Sequence, residues 1–66
     1  MINKINIINS RLNFLYELKS DIEMNLQLNK DLNFPIEENE RDLNRCLLDT
    51  NNRIGSLELV LNNLNA

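Results

Sequence analysis

Asp31-Leu32-Asn33-Phe34-Pro35-Ile36-Glu37-Glu38 interrupts an otherwise helical pattern near the middle of a 66-residue chain, and its reading decides the fold. Pro35 has no amide hydrogen to donate and disfavours the α conformation at Phe34. A helix arriving from the N-terminal side should therefore stop near Leu32 or Asn33. Proline is welcome at the first position of a helix, and Glu37 and Glu38 suit the positive end of one. A second helix should begin at about Pro35 or Ile36. The expected layout is one domain over 1–66: a helix over about 3–32, a turn at about 33–35 and a helix over about 36–64. Asn3 is a candidate cap for the first helix.

Outward from the turn, both arms carry apolar residues in alternating steps of three and four. The first has Ile5, Ile8, Leu12, Leu15, Ile22 and Leu26, with Lys19 in the missing slot. The second has Leu43, Leu47, Ile54, Leu57, Leu61 and Leu64, with Thr50 in the gap. Each is a coiled-coil seam. If the chain folds back at Phe34–Pro35, facing residues should have numbers adding to one total. They do: Ile5 with Leu64, Ile8 with Leu61, Leu12 with Leu57, Leu15 with Ile54, Ile22 with Leu47 and Leu26 with Leu43. The polar interruptions match as well, Lys19 facing Thr50 and Asn29 facing Glu40. The fold class is therefore all-α, an antiparallel two-helix hairpin forming a rod about 45 Å long from two helices of about 30 residues.

Composition narrows the function. Fourteen residues are Asn, but their placement among regularly spaced Leu and Ile lets periodicity outweigh their loop preference. The net charge is −3 and the basic residues are interspersed with acidic ones, which argues against a nucleic-acid footprint. No stretch is long and apolar enough to cross a membrane. Met1-Ile2-Asn3-Lys4-Ile5-Asn6 is broken by Asn every third residue, unsuited to the apolar core of an export signal. With its single thiol, a cytoplasmic location is the expectation.

The residue types for common chemistry are missing. There is no His, the usual general base, and Cys46 has no imidazole to activate it. Neither a thiolate metal site nor a calcium loop can be assembled, and Gly55, the single glycine, cannot make a phosphate-cradling loop. The expectation is no catalysis, no metal and no cofactor. Cys46 reads as a small apolar filler. Three four-residue charge pairs, Glu37 with Arg41, Arg45 with Asp49 and Asp49 with Arg53, mark an outer surface. Lys19 reads as a long stem crossing the seam, with its ammonium reaching solvent, or as a register-setting polar residue.

More apolar residues remain than one seam uses. Phe14, Leu18, Leu28 and Leu32 form a second stripe beside the first, extended by Ile7 and interrupted by Asp21 and Asn25. Cys46 and Val60 flank the other seam, and Tyr16 reads as an edge residue with its ring on the contact surface and its hydroxyl in water. The stripe could merely wrap the hairpin's own edge. A small two-helix layer has little interior, however, and monomers seldom expose long apolar strips. The expectation is a non-enzymatic helical protein–protein interaction module (an adaptor, small chaperone or assembly subunit). Its contact residues would be Phe14, Leu18, Leu28, Leu32, Tyr16, Cys46 and Val60. Such a module would pair with itself as a four-helix bundle or dock another helical protein. Two alternatives are a dimeric hairpin that binds nucleic acid through Arg41, Arg45 and Arg53, and a small phage or mobile-element inhibitor of a host protein. No small-molecule substrate is expected.

Overall fold

The computed structural model describes residues 3–65. It contains two helices, α1 (Lys4–Lys30) and α2 (Glu37–Asn65), packed along their length as a hairpin measuring 52 × 16 × 14 Å. Period and burial coincide along both. Among the described residues, every one that is buried or half-buried is a seam position. Leu12, Leu15 and Ile54 make the best-enclosed cluster, with Ile8, Leu57 and Leu61 packed against it. That cluster is three of the facing pairs expected from the sequence. Nearer the turn, Ile22 and Leu26 are buried as well. Leu43, Leu47, Leu57 and Leu61 stay only half-buried. Leu64, also expected in the seam, is 44% exposed. It lies in the last turn of α2, level with the start of α1, and so has neighbours on one side only.

The polar interruptions sit inside the seam. Thr50 is 4% exposed and faces a half-buried Lys19, consistent with a lysine stem lying across the interface. No buried side-chain nitrogen or oxygen among the described residues lacks a hydrogen-bond partner.

Helix ends follow local chemistry. The Asn3 side-chain oxygen accepts a hydrogen bond from the Ile5 amide at 2.9 Å, capping α1 as expected. The far end is shorter than the sequence suggests. α1 stops at Lys30, with the Asp31 amide donating to the Gln27 carbonyl at 3.0 Å and the Leu32 amide to that of Asn29 at 3.3 Å. The turn therefore spans 31–36. Nor is Pro35 the first helical residue. The Glu40 amide donates to the Ile36 carbonyl at 3.1 Å, so Ile36 is the residue that launches α2.

Asn29 explains both shifts. Its side-chain amide donates to the Ile36 carbonyl at 3.0 Å, and its side-chain oxygen accepts from the Ile36 amide at 3.3 Å. One carboxamide thus grips both polar groups of a single backbone residue across the turn. The sequence pattern places Asn29 opposite Glu40; its actual partner is the backbone four residues earlier. Asn29 is 5% exposed, the polar counterpart of the apolar pairs above it.

Candidate interaction surface

Successive helical residues are about 100° apart, so the two neighbours of a seam residue fall on opposite flanks of the hairpin. Leu15 is buried in the seam; Phe14 lies on one side of it and Tyr16 on the other. The same rule sorts every exposed residue beside the seams.

One flank carries a strip of apolar residues, most of them on α1. A shallow groove near the open end runs between the helices and is lined by Arg11, Phe14, Asn52, Arg53 and Ser56. A second groove, near the turn, is lined by Asn25, Leu28, Leu32, Asn39 and Asp42. Leu18 of α1 and Cys46 of α2 lie between the two, and Ile7 and Val60 extend the strip toward the open end. Phe14 is 64% exposed, and Leu18, Leu28, Leu32 and Val60 are exposed too. Six of the seven expected contact residues, Phe14, Leu18, Leu28, Leu32, Cys46 and Val60, therefore share this flank. Cys46 is not a buried filler. It sits one residue off the seam and is an exposed free thiol.

Tyr16 is the seventh, and it belongs to the opposite flank. Its hydroxyl is not free in water: it donates to the Glu58 carboxylate at 2.6 Å, tying α1 to α2. That hydrogen bond holds the phenol in its protonated form and raises its pKa above the ordinary 10.0, helped by slight desolvation and by the negative charge of Glu58. The rest of this flank is polar, with Asn6, Asn9, Asn13 and Ser20 on α1 and Asn44, Asn51 and Asn62 on α2, all exposed. Leu48 and Gly55 are its apolar members, and a methyl group added at Gly55 would meet nothing within 4 Å.

Charge is also unevenly placed along the apolar flank. Lys4, Arg11 and Arg53 stand in its open-end half, whereas Asp21, Asp42 and Asp49 stand toward the turn, Asp49 being bridged to Arg53 of the same chain. Of the three expected ion pairs on α2, only Arg53–Asp49 falls within contact distance, at 3.3 Å, with both side chains well exposed. The cost of ordering long side chains in water leaves the others apart. The three arginines considered for nucleic acid do not converge. Arg45 lies on the outer strip of α2, Arg41 on the polar flank and Arg53 on the apolar one.

Two features are not apparent from the sequence. Asn29 is one, since nothing local to it signals a partner seven residues away. The other is the tip: Phe34 is 89% exposed, with Leu32 and Ile36 also open to solvent. The available signal is apolar residues in a turn, where polar ones are usual. Among the described residues, no group of three or more His, Cys, Asp or Glu side chains is placed to hold a metal ion, and no helix is long and apolar enough to cross a membrane. Compared with protein-family models, curated proteins and solved structures, the chain matches none.

Proposed function

We propose that this chain is a non-enzymatic protein–protein interaction module that works through the flank carrying Phe14, Leu18, Leu28 and Leu32, with Cys46 and Val60 along its α2 edge. The supporting observation is the one-sidedness of the hairpin. Apolar residues beside the seams gather on one flank, and the opposite flank is predominantly polar. Scattered exposed apolar residues need no explanation, but a strip running the length of a rod marks a contact surface. Long side chains on helices are also well placed to fill the grooves of another helix. Tyr16 is left out of the contact set and acts as an internal brace.

The test is photo-crosslinking from inside the chain. A photoreactive residue at position 28 should give adducts, whether to a second copy or to another protein, while the same residue at position 51 on the polar flank should not. Equal labelling from both positions, or none from position 28, would remove this reading. The nucleic-acid alternative has no comparable support in the placement of Arg41, Arg45 and Arg53. An inhibitor of a host protein would use the same apolar flank, and the mass of the adduct distinguishes it.

A further inference from the structure

We infer that the apolar flank closes on a second copy of this chain, laid antiparallel across a two-fold axis at the level of Leu18, to make a four-helix bundle. The inference rests on the flank being a contact surface and adds to it the identity and direction of the occupant.

Size is the first argument. A face 52 Å long and 16 Å wide offers about 800 Å², the area that each partner commonly contributes to a stable protein–protein interface. No long exposed strip would remain on that side.

Charge fixes the direction. A face can meet its own copy about an axis along the rod or about an axis across it. An axis along the rod keeps both turns at the same end and sets Arg11 and Arg53 at the level of the same two arginines of the copy. An axis across the rod reverses one copy, bringing the Arg11 and Arg53 half of each over the Asp21 and Asp42 half of the other. Like charges at close quarters penalise the first arrangement, and opposite charges favour the second; such complementarity selects orientation more than it adds affinity.

The levels of individual side chains agree with an axis at Leu18. The seam pairing puts Cys46, beside Leu47, near the level of Ile22, about as far toward the turn as Phe14 lies toward the open end. Reversal therefore brings Phe14 of one copy level with Cys46 of the other. Val60 and Leu28 come level in the same way, as do Arg53 with Asp21 and Arg11 with Asp42. Leu18 meets its own counterpart. With the axis across the rod, α1 lies over the α1 of the copy and α2 over α2, so those four pairs meet diagonally between unlike helices, while Leu18 faces Leu18, Ile7 faces Leu28 and, on α2, Arg53 faces Asp49 of the copy.

Three measurements test this together. Light scattering with size-exclusion chromatography over roughly a hundredfold concentration range should give twice the chain mass at the upper end. A monomer throughout would overturn the second copy as occupant, while position-28 adducts to another protein would still uphold the contact surface. For direction, spin labels at Lys30→Cys in a Cys46→Ser background should lie at least about 35 Å apart in the dimer, given a 1.5 Å rise per residue from the axis, and farther apart than labels at Ser20→Cys, which sits near the axis on the same flank. Equal separations at the two positions would mean parallel rods and would overturn the orientation. For the charges, Arg11→Glu with Arg53→Glu, and separately Asp21→Arg with Asp42→Arg, should each weaken self-association about tenfold or more. Mixing the two variants should restore pairing as a heterodimer. These residues are exposed, so helicity measured by circular dichroism should stay unchanged. If the mixture associates no better than its components, the charge argument fails.

Discussion

Asn29 shows how much one side chain can decide in a hairpin this thin. Its two hydrogen bonds to Ile36 join the end of α1 to the start of α2 and set both helix limits. Removing them in Asn29→Ala should cost about 1–3 kcal/mol, read as a lower urea midpoint. Asn29→Leu supplies an apolar seam residue without the bonds; if it is as stable as the parent, the clamp contributes nothing. Gly55 is the opposite case. With open space around it and no tertiary role, Gly55→Ala should raise stability by about 1 kcal/mol, visible in the same titration. Tyr16 makes a pH prediction. Its raised pKa means that the folded chain favours the protonated phenol. The stabilisation from the Glu58 contact is complete below 10.0 and is lost as the pH climbs through the raised value. Ultraviolet titration of the phenol should show ionisation above 10.0, and Glu58→Gln should move it back down.

The helices themselves are legible in the amino-acid sequence, and the reason is periodicity. Steps of three and four put one stripe of each arm on a single face, and only those stripes are buried. Matching interruptions at Lys19 and Thr50 specify the register as well. The ends are less legible, because caps depend on individual hydrogen bonds. Asn3 acts within two residues and its role can be foreseen, whereas Asn29 acts across a turn and its role cannot. For the candidate surface, spacing gathers six residues that share one flank but also admits Tyr16, which lies on the other. Spacing alone treats residues beside the seam as one class, although neighbours on either side of a seam residue face opposite ways. Seam and flank differ measurably. Leu15→Ala should cost about 2–5 kcal/mol even at high dilution, as a buried leucine does. Leu28→Ala should change dilute thermal melting by no more than about 0.5 kcal/mol. Equal losses would mean that Leu28 belongs to the hairpin's own core.

At the scale of the whole molecule, the hairpin has only a few well-buried apolar residues, and the other seam leucines are half-buried or exposed. Small domains bury too little surface to be robust alone. If a second copy covers the apolar flank, melting should shift upward as protein concentration rises, because association stabilises only the folded form. A melting midpoint independent of concentration would place the chain's full stability in the single hairpin. The asparagine-covered flank then acquires a meaning of its own. A rod adhesive on both sides would pile into ribbons without limit, like a stack of two-sided tape. This rod carries its long apolar strip on one side and a mostly hydrated backing on the other, so pairing with a second copy would use up the means of further growth. Assembly would then count to two and stop.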